Sequence, residues 1–352
     1  MRVLVTGSEG YIGSLLGPYL VERGHDVTGV DTGFYKSGWL YNGPPLTVET
    51  LNKDIRLLDE RDLDGFEAVV HMAELSNDPL SDLSSATTHA INHRGSLHVA
   101  ALAKAAKVPR FVYTSSCSVY GAAAEELVDE ESPLAPQTAY AICKELVERD
   151  VGAMADDDFS PTFLRNATAY GASPRMRFDI VLNNLSGVAW TTREIRMESD
   201  GTPWRPLVHL LDICTAVRCV LEAPRERVHN QILNVGAPDA NFQIREIAEL
   251  VGRVFPGCEL TVGDRGADER SYRVSFAKIR ELLPGFKCSW EPELGAQQLL
   301  KVFSCVDLSH EDFVSRKFTR LKQIEYLRVT GQIDDSFFWR PLDRPFDEAE
   351  VA

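Results

Sequence analysis

Residues 7–13 read Gly-Ser-Glu-Gly-Tyr-Ile-Gly, between an apolar run, Arg2–Thr6, and a helical run, Ile12–Arg23. This loop constrains the chain more than any other feature. Glycines placed between a strand and a helix let the backbone approach a pyrophosphate at the positive end of the helix. Glycine spacing alone is a weak signal, because an ordinary tight strand–helix turn has the same composition. The next strand, Asp26–Asp31, ends in a carboxylate, and strand, loop, helix and acid together read as a dinucleotide site built from Gly7, Gly10, Tyr11, Ile12 and Gly13. Asp31 is placed to accept hydrogen bonds from the adenosine ribose hydroxyls and to repel a 2′-phosphate, which selects NAD over NADP. Capping the turn before Thr32-Gly33 is its alternative role. Asp54 and Ile55 follow a short strand expected near Leu46–Val48, from which a carboxylate reaches the adenine amine; a solvated turn acid is the alternative.

The rhythm of the first 170 residues extends this unit. Strands are expected at Arg2–Thr6, Asp26–Asp31, Ala68–His71, Arg110–Ser115 and Ser160–Arg165, separated by helical stretches at Ile12–Arg23, Ala86–Lys107 and Ala139–Ala153. Strand–helix alternation of this kind predicts an α/β fold, a Rossmann-type doubly wound parallel sheet over residues 1–170. Residues 171–352 are expected to form a smaller C-terminal substrate-binding lobe, with a strand at Glu194–Met197 and an apolar Leu207–Leu211 run. Segments near 206–240 are expected to return to the first domain, with Ile213–Leu221 as a helix and Gln231–Val235 as a buried strand. The tail carries one amphipathic helix near Arg316–Thr330.

Composition narrows the class of ligand. A formal net charge of -15 argues against a surface that tracks nucleic-acid phosphates, so any phosphate is expected to meet local arginines. No apolar run is long enough to cross a bilayer, and the first strand runs straight into the glycine loop, so neither a signal peptide nor a membrane anchor is expected. The seven cysteines are scattered, without metal-type spacing; reduced thiols in a cytoplasm and no metal site are the expectation.

The chemistry centres on Tyr140 and Lys144. Four residues apart in a helical stretch, they share a face, where an ammonium lowers the phenol pKa through the cofactor ribose and lets it take a hydroxyl proton. A surface Tyr/Lys pair is the default reading of this common spacing. Ser115-Ser116-Cys117-Ser118-Val119-Tyr120, at the end of the preceding strand, changes the odds, because the carboxyl ends of strands are where α/β sheets bind ligands.

With these motifs in order, the chain to about residue 300 resembles the extended short-chain dehydrogenase/reductases of the NAD-dependent nucleotide-sugar epimerase/dehydratase family. The resemblance rests on the GxxGxxG loop, Asn92 in Ile91-Asn92-His93-Arg94-Gly95, the Ser-Ser-x-x-Val-Tyr-Gly run and Tyr140-x-x-x-Lys144. It implies Tyr140 as catalytic acid/base, Lys144 as its pKa modulator and nicotinamide-ribose ligand, and Ser116 as partner of the reacting sugar oxygen, with Ser115 as runner-up. Asn92 supports the cofactor side or caps a helix bend. In the second half, Asn183-Asn184-Leu185 resembles the segment that holds the sugar diphosphate, with Asn184 as ligand, and Arg205 falls at a phosphate-binding position. Pro206 follows it where relatives keep an Asp. Arg265 and Asp268 match an Arg-x-x-Asp segment that contacts phosphates and nucleotide ribose. Tyr170-Gly171 resembles a pair kept beside the nicotinamide, while Arg175, Arg177 and Trp204 either shape the sugar pocket or pack the lobe.

The resemblance also bears on the reaction. Dehydratases and decarboxylases of this family keep a Glu between the catalytic hydroxyl residue and the Val-Tyr, whereas this chain has Cys117 and Ser118. That points to a 4-epimerase using NAD and a nucleotide-diphosphate sugar, with a 4-ketoreductase or a dehydratase as alternatives. A dinucleotide-binding regulator without chemistry is the reading from another class, and Tyr140→Phe separates it from an enzyme. Relatives often form homodimers through two helices, here Ala86–Lys107 and Ala139–Ala153.

Overall fold

In the computed structural model, which describes residues 1–43, 48–121, 127–265 and 271–341, alternate residues of the first strand face opposite layers. Val3 and Val5 of β1 (Arg2–Thr6) pack in one cluster with Leu16 and Leu20 of α1 (Gly13–Val21), while Leu4 faces a second cluster across the sheet. Period-two burial on both faces is what a parallel strand covered by two helical layers requires. Seven strands follow this plan: β1, β2 (Asp26–Asp31), β3 (Glu49–Asn52), β4 (Ala68–His71), β5 (Arg110–Ser116), β6 (Ser160–Asn166) and β7 (Gln231–Val235). All pair in parallel, in the spatial order β7-β6-β5-β4-β1-β2-β3. The chain thus winds outward from β1 to β3, then crosses back to β4 and winds the other way. The crevice between the carboxyl ends of β1 and β4 is the switch point, where this architecture binds ligands.

One face is covered by α1 and by α5 (Leu210–Glu222), the other by α2 (Ser96–Ala105) and α3 (Ala139–Gly152). The smaller lobe has its own core, in which Phe178, Leu182, Ile195, Leu207, Ile247 and Phe303 meet. It is built by α4 (Val181–Thr192), α6 (Ile244–Val254), α7 (Pro292–Val306) and the parallel pair Glu194–Ser199/Glu259–Arg265. No helix among the described residues is long and apolar enough to cross a membrane.

Three elements differ from the sequence reading. The short strand expected near Leu46–Val48 begins instead at Glu49, Leu46 lying outside the described residues. The helix expected over Ala86–Lys107 is broken by a π-helical stretch, His89–Gly95, between Ser85–Thr88 and α2. The tail helix, α8 (Arg320–Val329), buries Ile324 and Leu327, and with Ile333 and Phe337 beyond it joins the cluster of Leu4, Val30 and Phe34. The last described stretch therefore packs on the seven-stranded sheet, while Phe318 and Arg320 at its start touch the smaller lobe.

Candidate active site

The glycine loop closes tightly on the sheet. Gly7 has φ +73°, and a Cβ there would stand 3.0 Å from the Ala73 nitrogen beyond β4; a Cβ at Gly13 would stand 2.1 Å from the Gly7 oxygen. Glycine alone permits both the left-handed turn and the close approach of α1. Tyr11, within the loop, reaches the smaller lobe: its hydroxyl donates to the Gly171 oxygen (2.7 Å) and accepts from Asn183 Nδ2 (2.7 Å). Asn183 Oδ1 in turn accepts the Gly171 N–H, so the Tyr170-Gly171 turn is fixed against the loop.

A cavity of about 820 Å³ opens at the switch point, lined by the glycine loop, Asp31, Asp54, Ile55, Ser116, Tyr140 and Lys144 among others. Its size suits a small-molecule site. Asp31 accepts from the Gly33 N–H (2.7 Å) and the Glu9 N–H (3.1 Å), an arrangement that holds its carboxylate at the cavity wall; burial pushes its pKa up, against the pull of these two donors. Asp54 caps the turn that follows it and is paired with Arg56, Nη2 to Oδ2 2.6 Å. The turn role foreseen for it is thus present, beside the buried Ile55.

Strand alternation separates the two serines at the end of β5. Ser115 turns into the protein and donates to Glu148 (2.5 Å), a partner of the buried Arg165. Ser116 lines the cavity, accepts the Ser118 N–H (3.1 Å) and lies close enough to Tyr140 to favour its phenolate. Thr138 caps α3, placing Tyr140 and Lys144 one turn apart on the face toward β5. Lys144 Nζ lies 5.4 Å from the Tyr140 ring centroid and donates to the Thr114 oxygen (2.5 Å).

A residue the sequence reading passed over completes this group. Glu74, just past β4, sets Oε2 2.5 Å from Lys144 Nζ and accepts at Oε1 from the Tyr113 hydroxyl (2.5 Å). Burial drives the Glu74 pKa up, opposed by Lys144; burial likewise opposes the Lys144 charge, yet Glu74 and Tyr140 carry its pKa above the ordinary value. Burial first, then Glu74 and Asp78, keep Tyr140 a protonated phenol, with Lys144 and Ser116 pulling the other way. Its place three residues past an all-buried parallel strand, at the switch point, stood in the sequence, but its pairing with Lys144 did not.

The loop carrying Glu74 is itself fixed. Asn92, fully buried in the π-helical stretch, accepts the Leu75 N–H (2.9 Å) and donates to the Leu75 oxygen (3.0 Å). His71 bridges Thr6 (2.7 Å) and Ser96 (2.8 Å), and burial pushes its pKa down to about 3, so it stays neutral.

The substrate half is gathered less completely. Arg205 lines the cavity, donating to the Trp204 oxygen (2.8 Å) with its guanidinium 5.8 Å from the Tyr272 ring centroid. Asn184 is exposed and donates to the Phe178 oxygen, outside the cavity lining. Arg265 ends the strand Glu259–Arg265, and Asp268 lies outside the described residues. Arg177 lines the cavity, paired with Asp179 (2.9 Å), whereas Arg175 donates to the Tyr35 and Lys36 oxygens.

A glycine-loop crevice, an acid ending the second strand and a Ser–Tyr–Lys group at the carboxyl edge of one parallel sheet define a dinucleotide-dependent enzyme that moves a hydride and a proton together. The chain belongs to the NAD dependent epimerase/dehydratase family, whose profile matches residues 3–236. It is an extended short-chain dehydrogenase/reductase of the nucleotide-sugar group, and its cofactor is NAD. Among curated relatives, a UDP-N-acetyl-alpha-D-glucosaminuronate decarboxylase of Bacillus cytotoxicus is 26% identical over 321 residues, covering 85% of this chain and 95% of its own. A UDP-glucose 4-epimerase of Corynebacterium glutamicum is 28% identical over 313 residues, covering 83% and 91%. Among solved structures, MoeE5 in complex with UDP-glucose and NAD is 25% identical with a TM-score of 0.74, covering 88% of this chain and all (100%) of that one.

Proposed function

We propose that this chain is an NAD-dependent nucleotide-sugar epimerase acting at C4 through a transient 4-keto sugar. The observation that supports the reading is that, among the described residues, no free carboxylate stands beside Ser116. Cys117 is buried and donates to the Arg165 oxygen, and Ser118 stands at the cavity wall. Among the described residues the cavity's carboxylates are Asp31, Asp54, Glu74, Asp78 and Asp179, each already bonded within the protein: to backbone N–H groups, Arg56, Lys144, Thr138 and Arg177 respectively. Eliminating water needs an additional acid and base, and none of these described carboxylates is free to supply them.

Bound NAD would supply a positive nicotinamide ring and a reversible store for the C4 hydride, taken from one face of the sugar and given back to the other. Ser116 hydrogen-bonds the C4 oxygen, and Tyr140 takes its proton, the ring's charge adding to that of Lys144 in favour of the phenolate. Once the 4-keto sugar has turned, Tyr140 would return the proton to its C4 oxygen. Arg205 is proposed to meet the diphosphate, and Asn184, Arg265 and Asp268 are proposed as further ligands of it. We also propose a homodimer through the outer faces of α2 and α3, to be read from its mass in solution, and a reducing compartment, since all seven cysteines are free.

The test is incubation with UDP-, dTDP-, GDP-, CDP- and ADP-sugars, with products resolved by chromatography and NMR. Inversion at C4 of at least one donor without added cofactor is expected, and Tyr140→Phe should lower turnover about a hundredfold or more. No conversion of any 4-hydroxyl donor sinks the proposal.

A further inference from the structure

The cofactor-facing residues described so far come from the first 170 residues, but one buried cation at the cavity comes from the far end of the chain. Arg320 opens α8, well beyond the family match at residues 3–236; it is 2% exposed and lines the cavity. Its guanidinium lies 4.0 Å from the Tyr35 ring centroid, and Nη2 makes a long contact, 3.4 Å, to the Arg175 oxygen. Nη1 is buried and has no hydrogen-bond partner among the described residues. A guanidinium N–H buried without an acceptor is costly, and Nη1 is shut from solvent as it stands, so an acceptor in the cavity would meet it after a small turn of the guanidinium.

The protein's own carboxylates do not fill that role. Asp179 is engaged by Arg177 through both oxygens, and Asp31 by the Gly33 and Glu9 N–H groups. Burial lowers the Arg320 pKa to about 10, which leaves it a cation at neutral pH. Its position is held firmly. Gln323 donates to the Phe34 oxygen (2.9 Å), Trp339 to the Thr32 oxygen (2.6 Å), and Arg56 to the Ser336 oxygen (2.7 Å), so the C-terminal segment is tied to the loop after β2. The other cavity arginines face other partners, Arg177 pairing with Asp179 and Arg205 donating to Trp204.

We propose that Arg320 is a phosphate ligand for the dinucleotide, donating to the pyrophosphate from the side opposite the glycine loop. A guanidinium suits phosphate oxygens, and the loop offers only backbone N–H groups. The C-terminal segment is then part of the cofactor site, clasping its adenosine end. This assignment depends on NAD binding and not on the C4 reaction, so the two stand or fall separately.

The experiment measures affinities of the full-length chain, freed of nucleotide, for NAD, ADP, adenosine and UDP, by competition against the fluorescence of bound NADH. In Arg320→Gln, NAD and ADP are expected to bind about tenfold more weakly or worse, the size of one lost charge-assisted hydrogen bond, with adenosine and UDP unchanged. Unchanged ADP affinity in the folded variant overturns the proposal, as does an equal loss for adenosine. A loss confined to UDP would move Arg320 to the substrate and overturn it as well. Should Arg320→Gln fail to fold, Arg320→Lys carries the same comparison: weaker ADP binding against unchanged adenosine supports the ligand, and an unchanged ADP-to-adenosine ratio overturns it.

Discussion

Glu74 changes what the Tyr140 and Lys144 pair does. An ammonium beside a phenol lowers its pKa, but an ammonium 2.5 Å from a buried carboxylate presents little net charge to the phenol. Glu74→Gln removes the opposing charge. Lys144, still protonated beside the forming phenolate, then acts on Tyr140 alone, and the acidic limb of the kcat/KM profile for sugar oxidation is expected to move to lower pH. Glu74→Asp should restore much of the wild-type profile. A limb that stays in place or rises would mean that Glu74 only packs. The same change breaks a buried ion pair, so stability should fall by about 3 kcal/mol in urea titration. The residues proposed to react were legible in the sequence, because Ser116, Tyr140 and Lys144 lie at fixed offsets within one strand end and one helix. Glu74 and Arg320 were not. Each is brought to the site by a tertiary contact, and no local spacing marks an acid or a cation whose partner is far along the chain.

At the scale of elements, the five strands read from apolar runs are present, and the places where the reading slipped have one cause. Periodicity reports a face, not the partner of that face. The stretch Ala86–Lys107 keeps an apolar stripe through His89–Gly95 although its backbone is π-helical there, and one wide turn merely rotates the stripe. Asn92 sits in that turn because its side-chain amide can pair both backbone groups of Leu75. Asn92→Leu leaves these two groups buried and unpaired, so a loss of about 2–5 kcal/mol is expected by chemical denaturation. NAD affinity should drop with it, since the loop carries Glu74. A loss under about 1 kcal/mol would show that Leu75 finds water instead. The tail helix is the second instance. Its buried stripe, Arg320, Ile324 and Leu327, has helical spacing, but a cation on that stripe only makes sense once the cavity beneath it is seen.

The whole molecule carries an acid sensitivity built into the sheet. His71 is fully buried at the end of β4 with its pKa pushed down to about 3, and His209, also buried, is pushed down to about 4. An unfolded histidine titrates near 6.5, so between that value and the folded one the unfolded chain binds more protons than the native state. Stability supplied by the neutral imidazoles is therefore complete above about pH 6.5 and is lost as pH falls, at up to about 1.4 kcal/mol per pH unit for each ring. Asp179, held low by Arg177 against the effect of its burial, adds a loss of the same sign at lower pH. Asp31, Glu74 and Asp212, raised by burial, act in the opposite sense, gaining native-state protons as pH falls. These opposing contributions make the raw curve ambiguous, but a substitution isolates one of them. His71→Asn keeps an acceptor and a donor in the β4 position and does not titrate. It should be less stable than the parent at pH 7, and the difference between the two proteins should shrink as pH is lowered from 7 to 5, followed by thermal melts at matched ionic strength. If the two curves run parallel over that range, His71 takes up its proton without unfolding, and the sensitivity belongs to other groups.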